Sequence, residues 1–338
     1  MNHAHDGTIR HGGDLTQAAR LFPDAPGPWV DLSTGINPWP YPLPPIPDAA
    51  WTALPTRGAL DAALAAATVA YGAPGPDSLV AAPGTELLIQ MLPRLRPVGD
   101  VAIVSPTYGD HARAWDAAGH RVRAVSAPED ADVVVLCNPN NPDGRTWAPD
   151  DLLAAADRLA ARGGWLVVDE AYADLDPARS LAGHAGRPGL VVLRSFGKFF
   201  GLGGLRLGFA LGPDTVLAAL RVQLGSWAVS GPALAVAASA LADLDWQAAT
   251  RRRLAAAADA LDGVLRAGGL RIVGGTALYR LVDCGDGPAL WRHLARAGIW
   301  TRPFPEHAEG AGWLRFGLAP DAAVLDRLAV ALIPAARF

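Results

Sequence analysis

Cysteine and charge are both scarce in this chain. Its two cysteines, Cys137 and Cys284, stand 147 positions apart with no CxxC pair, which excludes a disulfide framework and a zinc ribbon and fits a reducing compartment. Charged residues make up only 18% of the sequence against 51% apolar, and 29 basic against 33 acidic residues leave a net charge of −4. That balance excludes a disordered chain, which needs low hydrophobicity and high net charge, and offers no positive excess for nucleic acid. No stretch supplies the ~18 uninterrupted apolar residues of a membrane span, and the opening MNHAHDGTIRHGGD has no apolar segment of a secretory signal. The chain reads as a cytoplasmic protein. His3, His5 and His11 have no carboxylate or cysteine at ligand spacing, so no metal site is expected.

What the chain has in surplus is glycine and proline, 37 and 29 of 338 residues, too many for an average domain and too few for low complexity. Ten of the prolines fall between Pro23 and Pro55, which makes an extended arm rather than a regular helix. After an amphipathic helical segment, Leu60 to Tyr71, β-branched runs alternate with helical patterns. The expected strands are Val101 to Pro106, Arg121 to Val125, Asp132 to Pro139, Trp165 to Tyr172, Leu190 to Phe196 and Leu205 to Gly212. Several are continuously apolar, as parallel strands covered on both faces are, so an α/β sheet sandwiched by helices follows. Helices are expected over Asp214 to Trp227 and Pro232 to Gly268, the latter broken near Asp243 to Trp246. Strands at Ala277 to Asp283, Gly298 to Phe304 and Trp313 to Ala319 then suggest a smaller α+β domain. The expected division is an arm over 1–48 contributing to the small domain and the active site, a large domain over 49–228 and a small domain over 229–338.

In an open parallel sheet a ligand sits beyond the carboxyl ends of the strands. There the chain places Tyr108 in SPTYG, Asn141 in NPNNPDG, Asp169 and Tyr172 in VVDEAY, and Lys198 in SFGKFF, followed by the glycine-rich GLGGLRLG with Arg206. A lysine amine, an acid, hydroxyls, an amide and a guanidinium are what pyridoxal phosphate chemistry requires: a Schiff base, a partner for the pyridine nitrogen and a phosphate cradle. Ser195 to Lys198 also spells SxxK, but the SDN and KTG partners of acylating enzymes are missing, and the glycines do not follow the dinucleotide fingerprint.

These motifs, in this order and spacing, resemble the fold-type I, class I/II aminotransferase family. The resemblance implies a mostly parallel seven-stranded central sheet sandwiched by helices, with pyridoxal 5′-phosphate as cofactor and a homodimer as assembly. By that resemblance Lys198 forms the Schiff base, Asp169 pairs with the pyridine nitrogen, Asn141 and Tyr172 bond the ring's 3′ oxygen, and Tyr108 stacks on the ring. Ser195, Arg206 and the amides of Gly84, Thr85 and Glu86 hold the phosphate. Many relatives carry a tyrosine that reaches the partner's cofactor phosphate where this chain has Leu54, so that contact is in doubt.

The reaction is chosen by the groups that clamp the substrate. Arg315 in WLRFGL matches the family's carboxylate-binding arginine, and Arg302 in WTRPF stands where members with phosphorylated substrates contact phosphate. HGG at 11–13 and DLSTGINP at 31–38 resemble the opening of the threonine-phosphate decarboxylases of cobalamin biosynthesis. That branch releases CO₂ from L-threonine O-3-phosphate to give (R)-1-amino-2-propanol O-2-phosphate, with His11, Asn37 and Arg302 implied at the substrate phosphate. Histidinol-phosphate aminotransferase shares the cofactor set and a phosphorylated substrate, and is the alternative. A non-catalytic pyridoxal phosphate sensor is disfavoured, because the chain has no added helix-turn-helix and no basic surplus.

Overall fold

A computed structural model describes residues 11–304 and 310–333; His3 and His5 lie outside them. Contacts divide the chain into two compact units, one of residues 39–250 and one formed by the residues up to Pro38 together with those from Arg251 onward.

The larger unit is built on a seven-stranded sheet. In spatial order its strands are Leu79–Ala82, Gly208–Leu211, Leu190–Ser195, Trp165–Asp169, Val133–Cys137, Asp100–Val104 and Arg121–Val125. The last five are mutually parallel, and Gly208–Leu211 runs antiparallel to both its neighbours. The apolar runs VVVLC and LVVLRS are buried along their whole length, as the continuous pattern requires. Trp115, Val133, Val135, Val167 and Leu193 pack with Leu88, Leu92, Leu217 and Leu220 in one core. The strand Leu79–Ala82 was not expected, since LVAA has no β-branched run; pairing with Gly208–Leu211 creates it.

Two expected boundaries move. The helix Gly231–Ala242, assigned from sequence to the smaller domain, belongs to the larger unit. Its alanine-rich surface packs closely along Arg57–Tyr71, and small side chains on both helices permit the approach. The proline arm divides after Pro38, because the Tyr41 N–H donates to the Phe200 carbonyl at 2.9 Å and the Tyr41 ring stands edge-on to Trp246 at 5.0 Å. The break near Asp243 is real: the Asp243 carboxylate accepts the Trp246 N–H and starts the helix Leu244–Ala267.

The smaller unit holds an antiparallel sheet in the order Arg302–Pro303, Trp313–Gly317, Tyr279–Asp283, Arg271–Thr276. A parallel pair, Val30–Asp31 with Ile299–Trp300, ties in the N-terminal segment. Trp300, Trp291, Trp29 and Phe22 form its aromatic core. Arg271–Thr276 was also unforeseen; RIVGGT is half-exposed and has two glycines, a weak strand signal. Among the described residues, no helix is long and apolar enough to cross a membrane.

Candidate active site

Four neighbouring parallel strands of the larger unit end at the residues singled out above. Asp100–Val104 leads to Tyr108, Val133–Cys137 to Asn141, Trp165–Asp169 to Tyr172, and Leu190–Ser195 to the short helix Phe196–Phe199 that carries Lys198. Asp169 and Tyr172 are buried, while Tyr108, Asn141 and Lys198 are half-buried. Lys198 is the chain's one lysine; every other position in its lysine and arginine total is arginine. Its mount is rigid: Phe196 stacks on Phe200 at 4.5 Å, Phe200 on Trp246 at 5.6 Å, and Phe199 meets both edge-on.

Asn140, which sequence reasoning passed over, joins two of these loops. Its amide accepts from the Thr107 hydroxyl at 2.7 Å and donates to the Pro106 carbonyl and the Asp143 carboxylate at 2.9 and 2.7 Å. The Asn138 side chain accepts the Trp147 N–H at 2.9 Å. The turn carrying Asn141 is therefore braced from both sides.

Behind Asp169 lies a second residue that sequence reasoning missed. His111 Nε2 is 2.9 Å from Asp169 Oδ2, and both side chains are buried. Burial alone disfavours the imidazolium, but Asp169 and Cys137 outweigh it and raise the His111 pKa to about 10. The imidazole thus faces the Asp169 carboxylate side chain and fixes its orientation. His111, Cys137 and Asp169 are also the one group of potential metal-ligating atoms found together among the described residues, within 4.8 Å of one another. The direct His111 to Asp169 bond makes the trio a carboxylate support. The signal in the sequence was a histidine three positions after Tyr108, the second residue of the helix Asp110–Ala117.

The anion cradle is formed where Ser195, Gly208 and Ala82 lie side by side on three strands. A Cβ on Gly208 would meet the Thr85 nitrogen at 2.5 Å, and one on Gly84 (φ +84°) would meet the Arg206 guanidinium at 2.7 Å. Glycine at both positions permits this close approach, which brings together a guanidinium, a buried serine and the first amides of the helix Thr85–Met91. The residues thus fit pyridoxal phosphate: a guanidinium, a hydroxyl and backbone amides brought together, a buried carboxylate backed by a cation, and a primary amine. Glu86 contributes a carboxylate as well, accepting from the Tyr108 hydroxyl at 3.2 Å and from Gln90 at 2.8 Å. Burial, then Asp110 and Glu86, hold the Tyr108 phenol well above its ordinary range and so un-ionised.

The other four sequence candidates lie in the smaller unit. Arg302 and Arg315 are buried and directly opposite each other in adjacent strands. Arg315 donates to the Ser33 carbonyl at 2.8 Å, and its guanidinium lies 5.2 Å from the Tyr279 ring; Arg302 lies 4.9 Å from the Phe304 ring. His11 is exposed, but its motif is docked: the Gly13 N–H donates to Ser33 Oγ at 2.8 Å, and Gly12 packs so tightly on the Ser33 carbonyl that no Cβ would fit. Asn37 is buried farther along the same segment. His11, Ser33 and Arg315 are thereby linked within one unit.

The sequence pattern of aminotransferase class I and II matches residues 57–332, most of the chain. The chain belongs to the aminotransferase class I and II family. Family members with similar sequences include a threonine-phosphate decarboxylase of Pseudomonas aeruginosa, 49% identical over 96% of this chain and 97% of that protein. A histidinol-phosphate aminotransferase of Mycobacterium tuberculosis is 37% identical over 63% of this chain and 61% of its own length. Among solved structures of this fold, the histidinol-phosphate aminotransferase of Sinorhizobium meliloti in complex with pyridoxal 5′-phosphate superposes with a TM-score of 0.82. It is 22% identical and covers all of this chain and 98% of its own.

Proposed function

We propose that this chain is a pyridoxal 5′-phosphate-dependent carboxy-lyase that converts L-threonine O-3-phosphate to (R)-1-amino-2-propanol O-2-phosphate and CO₂ in cobalamin biosynthesis. One observation carries the choice of reaction: the likeness to the Pseudomonas aeruginosa threonine-phosphate decarboxylase runs at 49% identity along nearly the whole of both chains, whereas likeness to the Mycobacterium tuberculosis aminotransferase is lower and partial.

When bound, the cofactor supplies a protonated pyridine ring that withdraws electrons from the substrate's α-carbon. Asp169, oriented by its bond to His111, would pair with the ring nitrogen. Asn141 and Tyr172 would bond the 3′ oxygen, Tyr108 would lie against the ring, and Ser195, Arg206 and the amides of Gly84, Thr85 and Glu86 would hold the phosphate. Arg315 orients the substrate carboxylate, and Arg302, His11 and Asn37 receive the substrate phosphate. Two guanidiniums directly opposite in adjacent strands suit a substrate that carries two anionic groups. The Lys198 side chain, in its ammonium form, would deliver a proton to the carbon that loses CO₂.

The reading includes a cytoplasmic homodimer. Trp51, Leu54 and Trp227 of the larger unit are all more than 60% exposed and line one hollow, an apolar surface that a second copy would cover. Leu54 offers no hydroxyl there, so the cofactor phosphate would be held by one subunit's own groups.

Incubation with threonine phosphate should release CO₂ and a phosphorylated amino alcohol in equal amounts. Glutamate formed from histidinol phosphate and 2-oxoglutarate, with no CO₂ from threonine phosphate, would establish the alternative.

A further inference from the structure

Glu170, Asp174 and Arg194 form a buried charge cluster that the chemistry above does not use. Arg194 is 1% exposed, Glu170 0% and Asp174 4%. The Arg194 guanidinium donates to Glu170 Oε2 at 2.9 Å, to Ser180 Oγ at 3.2 Å and to Asp174 Oδ1, and lies 4.4 Å from the Tyr71 ring. Glu170 is tied further, accepting the Leu181 N–H at 2.6 Å and the Ser180 hydroxyl.

The placement of these charges matters more than their number. Glu170 directly follows Asp169, Asp174 lies two positions past Tyr172, and Arg194 directly precedes Ser195, four positions before Lys198. Successive strand residues alternate faces, so Arg194 can grip the neighbouring loop without occupying the side taken by Ser195. One guanidinium therefore holds both ends of the segment carrying Asp169 and Tyr172, and anchors it to the strand that leads to Lys198. Stability does not call for such a cluster: desolvation offsets much of the Coulombic gain, and well-packed neutral side chains often serve as well.

We infer that Arg194 is a positioning residue that sets Asp169 and Tyr172 in register with Lys198, so that the cofactor ring and its lysine attachment are held in one geometry. The inference rests on the cofactor site proposed above. Burial alone would favour a neutral side chain, but Asp174 and then Glu170 hold Arg194 firmly in its charged form.

The test uses the full chain with pyridoxal phosphate and two variants. Arg194→Lys keeps the charge but cannot reach both carboxylates through a planar fork. The triple variant Arg194→Met, Glu170→Gln, Asp174→Asn removes the charges together and leaves none unpaired. Thermal unfolding without cofactor, the cofactor dissociation constant, the pH midpoint of the visible band and kcat against KM are compared with wild type. In wild type and in the triple variant Lys198 is the one lysine, so borohydride reduction and peptide mapping there report attachment at a single side chain. The expected result is a triple variant that unfolds near the wild-type temperature yet binds cofactor about tenfold more weakly, with a displaced pH midpoint and a kcat lowered about tenfold at unchanged KM. Arg194→Lys should fall between. A folded triple variant with wild-type affinity, band and kcat overturns the inference. So does a triple variant that fails to fold beside an Arg194→Lys chain that binds and turns over as wild type. A wild-type chain that takes no label at Lys198 overturns the cofactor-site reading and this inference with it, whereas a labelled wild type with unaffected variants overturns this inference alone.

Discussion

The strand ends of the larger unit and the arginine pair of the smaller one handle charge in opposite ways. Around Lys198 the buried charges are matched within the unit: Asp169 faces His111, and Arg194 faces Glu170 and Asp174. In the smaller unit Arg302 and Arg315 stand opposite each other, bounded by carbonyls and by the rings of Phe304 and Tyr279. The first arrangement holds a fixed geometry before any ligand arrives. The second sets two guanidiniums side by side in adjacent strands of the smaller unit. Cofactor attachment should therefore be insensitive to changes in the arginine pair, while substrate turnover depends on both.

Four substitutions would break or sharpen this contrast. Lys198→Ala should lower CO₂ release by on the order of 10³-fold or more and abolish the visible band, as followed by gas evolution and absorbance. Arg315→Ala should lower kcat/KM about 10²-fold while leaving the band intact, because a buried charge contact to the substrate is lost. If the band disappears instead, the division between the two regions is wrong. Gly208→Ala drives a methyl group into the Thr85 backbone and should weaken cofactor binding by about 1–3 kcal/mol, measured by equilibrium titration. Arg302→Ala should raise KM for threonine phosphate about tenfold with a much smaller effect on cofactor binding.

A smaller and pH-dependent effect probes the matched side. An unfolded histidine titrates near 6.5 and His111 in the fold near 10, so the folded state holds this proton more tightly. Its contribution is complete below about pH 6.5 and is lost as pH rises through about 10. The melting temperature of wild type should decline across that interval more steeply than that of His111→Phe, as measured by calorimetry.

Much of the central sheet was legible because its strands are buried on both faces and so carry unbroken apolar runs, as in VVVLC and LVVLRS. Leu79–Ala82 and Arg271–Thr276 were not, since a short alanine-containing run and a glycine-rich half-exposed one become strands only beside their partners. Lys198, Asp169, Asn141 and Tyr172 were found through local motifs, each a turn after a strand. His111, Asn140 and Arg194 escaped notice because each acts on a residue more than twenty positions away, His111 on Asp169, Asn140 on Thr107 and Arg194 on Glu170. Spacing along the chain does not report such contacts.

By itself the sequence determined the α/β class and the mostly parallel character of the buried runs, which depend on neighbours within a few residues. It also supplied one unread signal, a single lysine among twenty-nine lysines and arginines. Only the tertiary structure decided that Asp169 has a cationic partner, that Gly208 and Gly84 lie close against Thr85 and Arg206, that helix Gly231–Ala242 belongs with the larger unit and that Arg302 stands opposite Arg315. The physical reason is common to all four. Electrostatic pairing, close backbone approach and helix packing depend on distances in space, and those distances are set by the completed sheet and its register.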